Sequence, residues 1–383
     1  MLQDPIELQK SLGAAAPQGA AAVPEPSVNV VSDPSSDLLV SHLNKHFSKW
    51  LARKEAEEIA INRPGEVEVW AGGQWQRFED TDMTREVLET LGRLVANHVR
   101  KPFNASNVTL STALPDGTRI EMTGPPATVN NAIYVNLRKH TVVPFKLADF
   151  VNQGYFANTK HEFVVMPEAE RERMKEMLNP EQIHLWELAQ AGRWVEFLEL
   201  AVKDYANILI SGATGTGKTS FLRGLIELIP TDERLLTVED THEMPLPNHR
   251  NSQHLLYRRD GADDMAGASA KEMLQAGMRK TPKRVLLAEL RGDETYYFVQ
   301  NVLNSGHPGG MSTTHANHPK AAFLRLALLI KASPEGAGMG VDETLLLLRQ
   351  MIDVVVQLVF KSGQKRHCSA IYYDPMYAMS LSM

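Results

Sequence analysis

Residues 207–229 read NILISGATGTGKTSFLRGLIELI: a short β-rich apolar run, a glycine-rich turn and a helical run. Gly212, Gly217, Lys218 and Thr219 satisfy the spacing G-x-x-x-x-G-K-[ST] between a strand and a helix, the setting in which that motif binds phosphate. Backbone N–H groups of Gly212, Ala213, Thr214, Gly215, Thr216 and Gly217, and of the helix start at Thr219 and Ser220, can surround a β-phosphate, because glycine lets the backbone come close. Lys218 then reaches the β- and γ-oxygens, and the Thr219 hydroxyl coordinates Mg²⁺. The stretch implies a nucleoside triphosphate site.

Working outward, the chain keeps a strand–helix rhythm: RLLTVED (234–240), ASAKEMLQAGMRK (268–280) with Ser269 as a helix cap, RVLLAEL (284–290), YYFVQNVLNSG (296–306), GMSTTHA (310–316) and DVVVQLVF (353–360). Continuous apolar strands alternating with helices indicate a mainly parallel sheet covered by helices on both faces. Two strands end in acid, at Glu239–Asp240 and at Glu289. In an open parallel sheet those ends face the crevice that holds the phosphate loop. A carboxylate there can hold the magnesium shell through water, orient an attacking water, or simply cap the strand end. Glu243 shares those alternatives.

The 383 residues suffice for two or three domains, and 43% hydrophobic with 22% charged residues is ordinary for a soluble globular protein. A net charge of −6 argues against general coating of nucleic acid, which needs clustered Lys and Arg. One cysteine, Cys368, excludes an intrachain disulfide and a cysteine-based zinc module, and fits a reducing compartment. The first residues carry acids and prolines and read neither as a secretory signal nor as an anchor. Residues 1–36, rich in Ala and Pro, read as a disordered tail. Helical spacing of Leu39, Leu43, Phe47, Trp50 and Leu51, alternation in EIAINRPGEVEVWAGGQWQRF (58–78), a helix in TREVLETLGRLVANHV (84–99), and further strands to about 142 make a first α/β domain. Residues 143–190 read as a connecting region long enough to exchange domains with a neighbouring subunit, and 191–383 as the nucleotide-binding domain. The charged run EAERERMKEML (168–178) in that connecting region reads as a solvated helix packed on the second domain.

The motifs GATGTGKTS, TVEDTHEM, LLAELRGDE and SGHPGGMSTTHAN, in that order, resemble the secretion-ATPase superfamily of type II secretion, type IV pili and type IV secretion. Members carry a Walker A loop, an acidic "Asp box", a Walker B strand ending in Glu and a "His box". EIAINRPGEVEVW, LPDGTRIEMTGPPA, VNLRKHT and YYDP extend the likeness over residues 37–375, closest to the soluble traffic ATPases of type IV secretion. Ala288 stands where many relatives have glycine. The four-cysteine module of type II members is missing. The resemblance implies a RecA-like second domain, a homo-hexameric ring and ATP with Mg²⁺ held between domains. It assigns Lys218 and Thr219 to the Walker A loop, Glu239 to the Asp box, Glu289 to polarising water and His315 to sensing the γ-phosphate. Glu239 and Glu289 would reach the metal through water.

His307, His315 and His318 crowd one stretch. Zinc would need convergent ligands that their spacing does not favour, whereas a strand beside the Walker B strand aims His315 at the nucleotide. His307 fits the carbonyls of a helix end. For the positive charge that phosphoryl transfer demands, Arg119 and Arg138 of the first domain are the favoured donors. Arg279 and Arg291 are alternatives, and Arg258 and Arg259 read as solvated. The expected role is a motor powering protein or DNA–protein export or conjugative pilus assembly. Its partners would be other cytoplasmic and inner-membrane parts of a secretion apparatus, with docking on the cytoplasmic face of the inner membrane left open. A DNA translocase or helicase is disfavoured by charge, and no stable general nucleic-acid binding is expected. A non-hydrolysing scaffold is disfavoured by Glu239, Glu289 and His315.

Overall fold

The computed structural model of the protein describes residues 34–139, 146–258, 268–360 and 365–381. The expected tail falls outside them up to residue 33, as do the domain boundary near 142 and Arg259. Helix α1 begins at Pro34, slightly ahead of the expected start of order.

Helices α1 (Pro34–His46) and α2 (Ser48–Leu51) precede β1 (Ala56–Ile61), β2 (Gly65–Ala71) and β3 (Gln74–Asp80). Then follow α3 (Arg85–Val99), β4 (Thr109–Ala113), β5 (Arg119–Thr123) and β6 (Tyr134–Arg138). The strands form one antiparallel sheet in the order β3-β2-β1-β6-β5-β4. Alternation along β2 buries Val67, Val69 and Ala71, while Leu39, Leu43, Phe47 and Trp50 join Leu88, Leu91 and Val95 of α3 in the same core. Gly72 and Gly73 close the β2–β3 hairpin with φ of +59° and +84°, the sign a tight two-residue turn requires at both positions.

The second sheet is built from α4 (Leu147–Asn152), β7 (Lys160–Glu162), α5 (Glu168–Lys175), α6 (Pro180–Gln190), α7 (Trp194–Lys203), β8 (Ile208–Gly212) and α8 (Lys218–Ile226). It continues through β9 (Leu235–Glu239), β10 (Ser252–Leu256), α9 (Ala270–Met278), β11 (Arg284–Leu287) and α10 (Glu294–Tyr297), which runs on as a π-helix over Phe298–Leu303. The last elements are β12 (Met311–Thr314), α11 (Pro319–Ala332), α12 (Val341–Met351), β13 (Val354–Val359), β14 (His367–Tyr373) and α13 (Pro375–Ser380). Strand order is β10-β9-β11-β12-β8-β13-β14-β7. The run from β10 to β13 is parallel, and β14 turns antiparallel with β7 beside it. Every residue of β8 is buried, as an inner strand covered on both faces demands. Two cores flank the sheet. One gathers Phe197, Phe221 and Leu225, the other Val299, Phe323 and Leu326.

Residues 147–190, expected to form a connecting region, contribute Leu147, Phe150, Tyr155, Met174 and Leu185 to the first of these cores and β7 to the sheet edge. They pack as part of the second unit because their apolar side chains cover its helices. Ser269 caps α9 as read: its hydroxyl accepts from Glu272 N–H, and the Glu272 carboxylate accepts from Ser269 N–H. No helix among the described residues is long and apolar enough to cross a membrane.

The foot of β11 is fixed by a buried ion pair. Arg284, 0% exposed, donates Nε to Glu233 Oε2 at 2.6 Å, Nη2 to Glu233 Oε1 at 3.1 Å and Nη1 to the Val202 carbonyl at 2.7 Å. Removing one partner strands the other charge in the core, which typically costs about 3–5 kcal/mol. Arg284→Ala should therefore lower the chemical denaturation midpoint far more than Arg193→Ala, whose partner Glu196 is a solvated neighbour one helical turn away.

Candidate active site

The parallel strands end on a cavity of about 760 Å³ between the two sheets. The phosphate loop leaves β8 at Gly212, where a Cβ would stand 2.6 Å from Thr216 Oγ1 and 2.8 Å from the Leu358 carbonyl, so no side chain fits. Gly217, at φ +87°, turns the chain into α8. Lys218 is 8% exposed and donates to the carbonyls of Gly212 at 2.9 Å and Ala213 at 3.2 Å. Burial pushes its pKa down to about 8; Glu289 opposes the shift, and Arg138 and Arg291 add to it.

Register does the rest. Thr314 pairs with Ser211 across β12 and β8, and Leu287 with Ser312 across β11 and β12. Continuing each strand by one or two residues brings His315 and Glu289 beside Lys218. His315 Nδ1 stands 3.3 Å from Lys218 Nζ, and Nε2 stands 2.9 Å from Glu289 Oε1 without the alignment of a hydrogen bond. Burial first, and then Lys218, hold the imidazole below its ordinary pKa. A neutral ring accepting from Lys218 at Nδ1 carries its proton on Nε2, facing Glu289. Glu289 is also gripped by Arg291. Burial would raise its pKa, but Arg291, His315 and Lys218 together hold the carboxyl below its usual range.

Opposite stand Arg119 and Arg138, cross-strand partners on β5 and β6. Like charges directly opposite destabilise a sheet unless acids or an anion answer them. Arg119 Nη2 donates to Asp240 at 3.0 Å and its Nε lies 3.1 Å from Glu243, while Arg138 is 3.9 Å from Glu58. A second tie crosses the cleft: Arg366 donates Nε to the Gly215 carbonyl at 2.9 Å and Nη2 to Glu57 of β1. Phe150, Gln153 and Tyr155 also line the cavity, and Tyr155 Oη donates to the Thr216 carbonyl at 3.3 Å. The sequence reading gave Arg366 and Tyr155 no role. Neither sits in a spaced motif: Tyr155 comes from the turn between α4 and β7, and Arg366 from the segment just before β14, both far from the loop in sequence.

Glu239, expected at the catalytic centre, does not line the cavity. It is 0% exposed. One carboxylate oxygen accepts from the N–H groups of Glu243 and Met244, both at 2.7 Å, and the other from Thr237 Oγ1 at 2.9 Å. Burial pushes its pKa up, yet His254, these amides and the hydroxyl outweigh it and hold the carboxyl below its usual range. Its work is to shape the turn that carries Asp240 and Glu243, which do line the cavity. Asp240 and Glu289 are carboxylates that line the cavity, and Glu239 is not. The hard oxygens of Thr219, Asp240 and Glu289 around one cavity, with Glu289 Oε1 buried and free of hydrogen bonds, suit a cation such as Mg²⁺.

The three histidines of 305–319 have separate surroundings. His307 Nδ1 donates to the Pro282 carbonyl at 2.8 Å, and His318 caps α11 by accepting from Lys320 N–H. Neither lines the cavity. Arg291 lies in it, paired with Glu289, while Arg279 ends α9 and stays outside, as does Arg258.

The family described as type II/IV secretion system protein matches residues 37–374. The type IV secretion system protein VirB11 of Brucella abortus is 35% identical over 360 residues, covering 92% of this chain and 96% of its own. The PtlH homolog of Bordetella bronchiseptica is 32% identical over 326 residues, covering 85% and 92%. The solved ATPase DotB of Legionella pneumophila shares the fold at a TM-score of 0.50 and 16% identity, over 90% of this chain and 85% of that one. A match over nearly the whole described chain, with the phosphate loop, Glu289 and His315 meeting in one cleft, makes this chain a member of the type II/IV secretion system protein family.

Proposed function

We propose that the protein is an ATPase motor of type IV secretion, working as a homo-hexamer alongside other components of a secretion apparatus. The observation that carries this reading is the cleft itself: Lys218, Thr219, Glu289 and His315 on one wall and the Arg119–Arg138 pair on the other. The triphosphate lies along the loop from Gly212 to Ser220, with the γ-phosphate toward His315. Thr219, with Glu289 and Asp240 through water, would hold Mg²⁺, which when bound would neutralise charge on the phosphates. Glu289, kept ionised by Arg291, orients and polarises the attacking water. His315 changes hydrogen-bond partner as the γ-phosphate leaves.

Arg119 is committed to Asp240 and Glu243 at 3.0 and 3.1 Å. To serve the transferring phosphoryl group it must exchange these acids for phosphate oxygens, and that exchange closes the first domain on the second. An arginine so placed is worth roughly 10³–10⁵ in rate. This coupling of charge transfer to domain movement is the mechanical stroke.

Lys218→Ala should abolish hydrolysis while circular dichroism stays native; turnover near wild type would place the site elsewhere. Glu289→Gln should bind nucleotide but lower kcat by about 10²–10⁴, the usual worth of a positioned base. If Glu289→Gln turned over normally, the protein would be a scaffold rather than a motor.

A pKa of about 8 for Lys218 sets a pH window. Below it the ammonium is present and attracts phosphate; above it the free site binds a neutral amine. Affinity for a non-hydrolysable ATP analogue should fall by about tenfold per pH unit above 8, read by fluorescence titration. Particle mass at low micromolar concentration with ATP and Mg²⁺ should lie near six subunits.

A further inference from the structure

A second cluster of metal-binding side chains lies behind the acidic turn, away from the nucleotide cleft. Glu239 ends β9, His242 sits in the turn, and His254 lies on β10, the edge strand of the larger sheet. We propose that Glu239, His242 and His254 form a binding site for one divalent transition-metal ion of zinc's class. The site shares no residue with the proposed Mg²⁺ position and stands independently of the ATPase reading.

Geometry carries the argument. With metal–nitrogen and metal–oxygen bonds of about 2.0–2.2 Å, tetrahedral ligands stand about 3.3–3.5 Å apart. Glu239 Oε1 is 3.3 Å from His242 Nδ1 and 3.7 Å from His254 Nδ1, and the three residues offer ligand atoms all within 4.8 Å of one another. The two rings meet edge to face with centroids 4.5 Å apart. No other group of three His, Cys, Asp or Glu among the described residues is so placed.

The carboxylate is prepared for one ligand bond. Its Oε2 is saturated by the amides of Glu243 and Met244, which leaves Oε1 as the donor turned toward the imidazoles. Thr237 Oγ1 donates to that same oxygen and lies 2.8 Å from His254 Nδ1. Outer hydrogen bonds of this kind orient a ligand. Metal entry exchanges the Thr237–His254 contact for a coordination bond and keeps the donation to Glu239. Access is open, because the His242 and His254 side chains are 47% and 30% exposed while Glu239 is 0%. Two imidazoles and one carboxylate select Zn²⁺, Co²⁺ or Ni²⁺ over Mg²⁺, which prefers oxygen alone. Three protein ligands leave a fourth position for water. A bound ion would pin the turn that presents Asp240 and Glu243 to Arg119.

The test uses the full chain without an affinity tag, stripped with a chelator and dialysed. Co²⁺ titration should saturate at one ion per chain, with the intense visible absorption of a four-coordinate nitrogen and oxygen site. Zn²⁺ should displace the colour and excess Mg²⁺ should not. His242→Ala, at the most exposed of the three positions, and His254→Ala should each abolish it. Both should lower Zn²⁺ affinity by more than the roughly 10–100-fold that an outer-shell partner is worth. His184→Ala, at a surface histidine elsewhere, should change nothing. The proposal fails if Co²⁺ uptake never saturates, if no such absorption develops, or if it survives both substitutions with the far-ultraviolet spectrum intact. None of these readings depends on nucleotide turnover.

Discussion

A lysine ammonium held out of water governs the arrangement of the larger domain. Lys218 is buried, and its hydrogen bonds are to two carbonyls of its own loop and to one imidazole. Burying a cation without a directly bonded carboxylate is costly, so the surroundings must be built for a negatively charged visitor. The sheet answers that requirement with β8 at its centre, β12 beside it leading to His315, and β11 next leading to Glu289. The lowered lysine pKa has the same source: burial disfavours the ammonium, and Glu289 opposes that shift only in part.

The first domain responds to the same requirement from the other side. Two arginines directly opposed on neighbouring strands repel one another, and acids from both domains share the burden. The contact between Arg119 and the acidic turn is therefore more than glue. It holds Arg119 at the edge of the cleft through two acids of the other domain. Arg366 makes a second link, from the Gly215 carbonyl to Glu57, so the loop and the first sheet share one guanidinium. Both links are polar and exchangeable, in contrast to the apolar cores on either side.

Much of this was legible in the sequence because it is written locally. The phosphate loop has fixed spacing, β8 reads as an unbroken apolar run, and the Ser269–Glu272 cap is contained in four residues. Glu289 and His315 could be placed beside the loop because each follows a strand whose neighbours the fold class predicts. Glu239 misled for the same reason. It ends a strand as Glu289 nearly does, but β9 alternates its side chains so that Glu239 turns inward to the amides of 243 and 244, and Asp240 takes the cleft. A shift of one residue flips the face, and no local pattern says which acid points where. Residues 147–190 read as a connection, with a helix laid on the second domain, because their apolar groups are spread over short helices with partners far away in the chain. Arg366 was invisible for a related reason, since its partners lie on another domain and on a loop some 150 residues earlier.

The pairing of β7 with β14 has a consequence for how the chain comes off the ribosome. The first domain's sheet closes with β6 and draws only on strands already synthesised, so its contacts are near in sequence and quick to form. The larger sheet cannot be completed in this way. Lys160 must wait for Ala370, and β8 gains its neighbour β13 only after most of the domain has emerged. Throughout that interval the apolar faces of β8, β9 and β11 lack their final cover. Domains generally fold as units during synthesis, and a late-closing parallel sheet is the stage at which exposed strands meet the wrong partner. An early-folded first domain would then act as a solubilising leader for its own slower neighbour, and truncations near the C-terminus would be punished by aggregation before any loss of chemistry could be seen.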